Sequence, residues 1–250
     1  MLLDELEALF HSSSVEEVWG RLTAYMERFG FDRLIYGFTR FRTANSFGDM
    51  NDLLVLSSHG EDYIRPFIDE GLFFHAPMVR WATENEGACS WSWIAEQSRA
   101  GGFTKAEQRV VDFNVAHRVT AGYSISFKDV SRRAKGALGL TARAGTSQEE
   151  VDKIWGEHGR EIQVVANTAH LKLISLPYTG MRRPLTPRQR EVLEWVGDGK
   201  TTQDIALILG VSPATVEKHL RLAREALNVE TTAQAVLKAS YQNQIFLFET

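Results

Sequence analysis

Hydrophobic and polar positions alternate in two regimes along the chain, and the change falls near residue 176. In the first regime, Leu2, Leu3, Leu6, Leu9 and Phe10 recur at helical spacing. Ser14-Val15-Glu16-Glu17 reads as a capping box that opens a second helix through about Phe29. Residues 31–41 are rich in β-branched and aromatic types and predict a strand; 45–51 reads as a loop and 53–56 as a second, short strand. Residues 59–70 predict a helix with Tyr63 and Phe67 four apart on one face, stopped by Gly71. Pro77 starts a further helix to about Asn85, and residues 88–91 form a brief extended segment. Thr104-Lys105-Ala106-Glu107 caps a helix to about Arg118. Strands follow at 122–127 and 136–142, joined by the polar hairpin loop 128–135. Ser147 caps the longest helix, whose apolar face is Val151, Ile154, Trp155, Ile162, Val165, Ala169 and Leu173. Residues 1–175 are therefore expected to form an α+β unit. The expected form is an α/β/α sandwich of about five antiparallel strands with helices on both faces.

In the second regime the strands disappear. After a linker at 176–183 that contains Pro177, Gly180 and two arginines, residues 184–250 predict a four-helix domain with a helix-turn-helix at its centre. Thr186 precedes Pro187, and a proline is tolerated at the first helical position because its missing N–H would be unpaired there. Thr201 or Thr202 caps the second helix, with Ile205, Ala206 and Leu209 apolar, and Gly210 ends it. Ser212 and Pro213 open the third helix, in which Val216, Leu220, Ala223 and Leu227 make one buried stripe. Thr215, Lys218, Arg221 and Arg224 lie off that stripe. The fourth helix starts near Thr232 with Ala233, Val236 and Leu237 expected inward.

Charge follows the same division. The whole chain carries −4. Residues 1–180 contribute −5 and 181–250 contribute +1, so the weak positive bias lies with the helix-turn-helix. Segment 181–225 has eight Lys/Arg against six Asp/Glu, a faint electrostatic footprint for a nucleic-acid surface. By charge alone a solvated basic face on an ordinary bundle fits as well as major-groove docking. A single cysteine, Cys89, excludes an internal disulfide framework and a cysteine-rich metal site. The acidic N-terminus lacks a basic secretory n-region, and no apolar run reaches 18 residues, so a cytoplasmic protein without a membrane span is expected.

The segment from Leu185 to Leu220 separates the two readings. Leu185-Thr186, Glu191-Val192-Leu193, Gly199-Lys200-Thr201, Ile205-Ala206, Ser212, Thr215-Val216 and His219 together resemble the LuxR-type helix-turn-helix. The resemblance implies sequence-specific binding of double-stranded DNA by a homodimer on an inverted repeat, with RNA polymerase as a further partner. It implies DNA contacts from Lys200, Thr201, Thr215, Val216, Glu217, Lys218, Arg221 and Arg224, and a buried structural role for Glu191. Glu217 departs from the lysine common in the family; it can accept from a cytosine amino group or simply face solvent.

The order of elements before the linker, with Tyr36-Gly37, the 59–71 helix, Pro77, Trp91, Gly122 and Gly136-Ala137-Leu138, resembles the autoinducer-binding domain of LuxR-type quorum-sensing regulators. That resemblance implies an N-acyl homoserine lactone or related signal between the sheet and one helical layer, in an apolar cavity with few placed polar groups. The ligand residues expected are Tyr36, His59, Tyr63, Phe67, Ala76, Trp91, Phe103, Ser124 and Gly139. For each aromatic the alternative is a plain core role. Four positions depart from the family. Ala76 stands where an aspartate accepts the ligand's amide N–H, and Tyr63 where a tryptophan donates to the lactone carbonyl. His59 and Phe67 each replace a tyrosine. Loss of the charged acceptor costs about 1.5–3 kcal/mol of interaction. A non-lactone ligand, or action without ligand, is therefore the alternative reading.

Other classes find less in the chain. Asp32, Asp49 and Asp52 do not sit at the ends of alternating β/α strands, as a phosphate-receiving regulator requires. The seven histidines show no metal spacing, and no phosphate loop or nucleophile elbow is present, so no enzyme and no cofactor are expected.

Overall fold

A computed structural model describes residues 1–250 except 44–45, 129–130, 132, 179–182 and 247–250. Parts of the expected loop at 45–51, of the hairpin at 128–135 and of the linker at 176–183 lie outside the described residues. The elements in chain order are α1 (Leu2–His11), α2 (Val15–Glu27), β1 (Phe31–Thr39), β2 (Leu54–Ser57), α3 (Glu61–Asp69), α4 (Pro77–Glu84), β3 (Gly87–Ser90), α5 (Ser92–Arg99), α6 (Lys105–Ala116), β4 (Gly122–Ser126), β5 (Lys135–Ala142), α7 (Gln148–Ser175), α8 (Pro187–Gly197), α9 (Thr202–Leu209), α10 (Pro213–Leu227) and α11 (Thr232–Tyr241). Short 3₁₀ turns occupy Met50–Asp52 and Leu72–His75. Contacts divide the chain into two compact units, one of Met1–Gly48 and Leu53–Ile174, the other of Asp49–Asp52 and Ser175–Thr250.

In the first unit five strands pair antiparallel in the order β2-β1-β5-β4-β3. Side chains alternate faces along each strand, so the register sorts them into two layers. Leu34, Tyr36 and Phe38 of β1 share one face with Leu138 and Leu140 of β5 and with Tyr123 and Ile125 of β4. That face packs on α7: the Phe127 and His170 rings stack at 4.1 Å, and Tyr123 stacks on Trp155 at 3.9 Å. α2 joins the same layer through the hydrogen bond from Tyr25 to Glu161. The opposite face meets the α3–α6 layer, where the Ser126 hydroxyl donates to the carbonyl oxygens of Ala82 and Asn85 at 2.8 and 2.7 Å. The expected sandwich is thus present.

A polar knot fastens α7 to the sheet. Asp152 accepts from Ser90, Tyr123 and Gln148 at 2.7–2.9 Å, and Gln148 also bonds the backbone of Gly122. Its carboxyl is held below the ordinary aspartate range by these three hydrogen bonds, although burial opposes them.

Local chemistry starts most helices where expected. Ser14 and Thr104 accept from the N–H groups of Glu17 and Glu107, and Thr104 completes its box with the Glu107 carboxylate. Gly71 takes the left-handed conformation, φ 68°, after α3. α5 is an addition to the expected elements: it has no fully buried residue and so no apolar stripe to betray it.

In the second unit Thr186, Thr201, Ser212 and Thr231 each cap a helix through a side-chain oxygen. Of the two candidate threonines, Thr201 is the cap of α9. Gly210, left-handed at φ 65°, makes the turn into α10. The predicted stripe Val216, Leu220, Ala223 and Leu227 is buried, with Leu193, Ile205 and Ala235 in the same core. Two expectations are corrected. α11 buries Ala235, Lys238 and Ala239, while Ala233 is exposed and Leu237 is 54% exposed. Lys238 reaches inward because its ammonium pairs with the buried Asp52 carboxylate at 2.6 Å and donates to the Leu227 carbonyl at 2.8 Å, a carbonyl left over at the end of α10. Glu191 is half-exposed and pairs with Arg188 at 2.7 Å, so it is not a buried carboxylate.

Candidate functional site

The sheet face toward α3–α6 differs from its opposite in residue size. It carries Ile35 and Gly37 of β1, Val55 of β2, Ala137, Gly139 and Thr141 of β5, Gly122, Ser124 and Ser126 of β4, and Cys89 of β3. Most of these side chains are small, so the helical layer is not filled up to the strands. The alternation on β1 makes this visible. Leu34, Tyr36 and Phe38 are at most 2% exposed, whereas Ile35 and Gly37 are only half-buried. A Cβ added at Gly37 would meet nothing within 4 Å. This is open space beside the centre of the sheet.

One wall of that side is a ladder of rings. Tyr63 stacks on His59 at 4.4 Å and on Phe67 at 5.3 Å. Phe113 of α6 and His117, the residue just past its end, close on it at 5.2 and 5.7 Å, and the Tyr63 hydroxyl donates to Asn114 Oδ1 at 3.0 Å. The i, i+4 spacing of Tyr63 and Phe67 on α3, and of Phe113 and His117 at the C-terminal end of α6, turns each pair to one side of its helix. The ladder is neutral at pH 7. Burial, and next the Arg33 guanidinium, lowers the His59 pKa to about 4. Burial pushes the Tyr63 hydroxyl up, and holds the Cys89 thiol protonated with a pKa of about 11. Arg33 donates to the carbonyl oxygens of His117, Arg118 and Ala142.

A second wall is Trp91, at the start of α5. Its indole N–H donates to Ser124 Oγ at 3.0 Å and its ring lies against Gly122. Glycine is required at 122, because a Cβ there would collide with the Leu140 carbonyl oxygen and crowd the indole at 3.0 Å.

The sequence-predicted ligand residues therefore divide. His59, Tyr63 and Phe67 stand together, and Trp91, Ser124 and Gly139 share the small-residue side. Ala76 is buried at the start of α4 and presents no polar side chain. Phe103 is half-buried in the loop before α6, with no ring contact to the ladder among the described residues. Tyr36 is corrected: it is fully buried on the α7 face, where its hydroxyl and His170 Nδ1 share a hydrogen bond at 2.8 Å. Strand parity decides this, since Ile35 and Gly37 point the other way. Phe113, Asn114 and His117 were not foreseen; their i, i+4 aromatic pair was the signal available. The groove lined by Glu61, Asp62, Arg65, Pro66, Asp69 and Glu70 of α3 is open and includes none of these residues. Among the described residues no group of His, Cys, Asp or Glu could hold a metal ion.

In the second unit the exposed face of α10 is Ala214, Glu217, Lys218, Arg221 and Glu225. Glu217 accepts from the Thr202 hydroxyl, at the start of α9, at 2.8 Å. Arg221 pairs with Glu225 at 2.6 Å. Lys200 and Thr201 are exposed at the entry to α9, where the Thr201 hydroxyl is engaged by Asp204. Thr215 and Arg224 flank the exposed face, bonded to Ser212 Oγ and Thr232 Oγ1 respectively. Val216 is corrected as a DNA contact: it is 0% exposed, in the domain core. A helix with an exposed polar face, held across a tight turn by a second helix, is the geometry that enters a DNA major groove.

Comparison with known proteins agrees with both halves of this geometry. The family model described as "Autoinducer binding domain" matches residues 14–173, and that of "Bacterial regulatory proteins, luxR family" matches residues 183–239. The transcriptional activator protein LuxR of Aliivibrio fischeri is 23% identical over 192 residues, covering 76% of this chain and 74% of the relative. The crystal structure of SdiA from Escherichia coli has a TM-score of 0.55 at 18% identity, covering 98% of each chain. SdiA in complex with octanoyl-rac-glycerol has a TM-score of 0.54 at 16% identity, covering 99% of this chain and 96% of that one.

Proposed function

Since the chain belongs to the LuxR family and is a DNA-binding quorum-sensing regulator controlled by a small signal, we propose how its residues divide that work. Residues 1–175 bind the signal, 176–183 link, and 184–250 read DNA as half of a homodimer on an inverted repeat. The signal is a neutral molecule with an acyl or other apolar chain. The chain lies against Ile35, Gly37 and Gly139, between the His59–Tyr63–Phe67 ladder and Trp91. The observation that carries this is the open space at Gly37, on a central strand whose opposite face is closed by Leu34, Tyr36 and Phe38. The protein acts by binding and not by catalysis. It works in the cytoplasm, where its DNA and RNA polymerase are; no described helix is long and apolar enough to cross a membrane.

N-acyl homoserine lactones are one candidate class. Ala76 favours a second, because its methyl leaves the start of α4 without a carboxylate to accept an amide N–H. An acylglycerol, the ligand class in the SdiA complex, makes no such demand. A thermal-shift series of the full-length protein against acyl-homoserine lactones and monoacylglycerols decides between them. Ligand at 100 times its dissociation constant adds about 2.7 kcal/mol of stability, an easily read shift. A shift with lactones alone would refute the acylglycerol reading, and no shift with either would refute a neutral acyl signal.

A further inference from the structure

The recognition face of α10 carries two carboxylates, and a DNA surface has few uses for a carboxylate. Phosphate repels it, and of the major-groove edges only the amino groups of cytosine and adenine can donate to it. Glu225 has a local explanation, because Arg221 pairs with it one turn earlier on the same helix. Glu217 has none of that kind. It is exposed, near the N-terminal end of α10, and its partner comes from another helix: Thr202 Oγ1 donates to Oε1 at 2.8 Å. The bond fixes one carboxylate oxygen and leaves the other, Oε2, as an acceptor on the outer face. A long side chain that would otherwise sample several rotamers is thereby held in one, which lowers the ordering cost of a contact to a base.

We infer that Glu217, positioned by Thr202, reads a cytosine in each operator half-site; the inference rests on the DNA-reading role proposed for α10. Cytosine fits better than adenine for an electrostatic reason. Its N4 amino group stands beside a C5–H edge, whereas the adenine N6 amino group stands beside N7, an acceptor that repels a carboxylate. The guanine paired to that cytosine presents O6 and N7, both acceptors, to the cations next on the same face, Lys218 and Arg221. A carboxylate beside two cations thus matches the donor and acceptor sides of one C·G pair, and explains how a face with no net charge discriminates sequence.

The test is selection from a pool of duplexes with a randomised central segment, using full-length wild type, Glu217→Gln, Glu217→Ala, Thr202→Val and Thr202→Ser, with thermal melts of each. Wild type should enrich a motif with cytosine at one symmetry-related position per half-site. Glu217→Gln should change that position toward adenine, since an amide pairs with N6 and N7 together. Glu217→Ala should lose preference there by about tenfold while the other positions stay as they are. Thr202→Val should weaken the same preference and Thr202→Ser should restore it, at unchanged melting temperature. A wild-type motif reproduced by Glu217→Gln and Glu217→Ala would overturn the inference and leave α10 as the reader. A Thr202→Val protein that melts earlier but keeps the motif would reduce the bond to a clamp between two helices, and also overturn it. A wild type that enriches no motif would overturn the DNA-reading role itself.

Discussion

Replacing His59 by glutamine should flatten the pH dependence of folding stability between pH 4 and 6.5. His59 is 8% exposed and its pKa in the folded protein is about 4, against an ordinary value of about 6.5 in the unfolded chain. The unfolded chain therefore binds the proton more readily, and stability rises with pH across this window. The contribution is fully present above pH 6.5 and is lost as pH falls through 4. A shift of about 2.5 units at about 1.36 kcal/mol per unit makes the whole effect roughly 3 kcal/mol, of which roughly 2 kcal/mol disappears between pH 7 and pH 5. Urea unfolding of wild type and His59→Gln at half-unit steps from pH 4 to 8 reads it directly. The comparison of slopes cancels both the carboxylates common to the two proteins and any pH-independent cost of losing the ring stack on Tyr63. Two parallel profiles would refute the reasoning, because a histidine that protonates in place without penalty is not buried in a neutral ladder. The same experiment bears on function: the ladder is a wall of the proposed ligand space, so acidification should loosen the site before it unfolds the second unit.

Gly37→Val should leave the melting temperature within a degree or two of wild type, because its Cβ enters open space on a strand that favours branched residues, yet should abolish the ligand-induced thermal shift; a destabilised protein that still responds to ligand would contradict the placement of the cavity. Arg221→Ala should weaken binding to the selected operator more than to operators with the specified C·G pair changed, as measured by fluorescence anisotropy on both; an equal loss on every duplex would make Arg221 a phosphate contact instead. Arg224→Ala should instead cost stability through its lost bond to Thr232, with a smaller effect on affinity.

What was legible in the chain was whatever neighbouring residues specify among themselves. Thr104 with Glu107, Ser212 with Pro213, and the left-handed glycines at 71 and 210 announce helix ends because the partners lie within four positions. The stripe through Val216, Leu220, Ala223 and Leu227 is legible for the same reason, since its period depends on one helix alone. Failures begin where a second element decides. The resemblance to the autoinducer-binding domain, anchored in part at Tyr36-Gly37, puts Tyr36 among the ligand residues. Parity, set by pairing with β5, sends it to His170, a residue more than 130 positions away. The resemblance puts Val216 on DNA together with Thr215 and Glu217, whereas the helical period puts it on the buried stripe, and one step along a helix turns a side chain by about 100°. On α11 the apolar pattern favoured Leu237, but the inner face goes to Lys238, whose ammonium finds the Asp52 carboxylate, far away in sequence, and a carbonyl at the end of α10. Nothing local to Lys238 signals that carbonyl.

The candidate site shows the same division in a sharper form. Its aromatic members could be named from α3, yet their polar settings could not. Whether Tyr63 offers its hydroxyl to a ligand depends on Asn114, which α6 brings to 3.0 Å from it. Whether His59 is a cation depends on burial and on Arg33, itself oriented by carbonyl oxygens of three other residues. These are the terms that set ligand chemistry. Under the proposed function, a charged acceptor at position 76 would select an amide donor, whereas the Ala76 methyl does not. The fold is shared with solved structures at 16–18% identity, so most of its residues can differ while the layers persist. Under the proposed function, the molecule that fills the space is set by a few side chains, His59, Tyr63, Phe67 and Ala76, all of them buried.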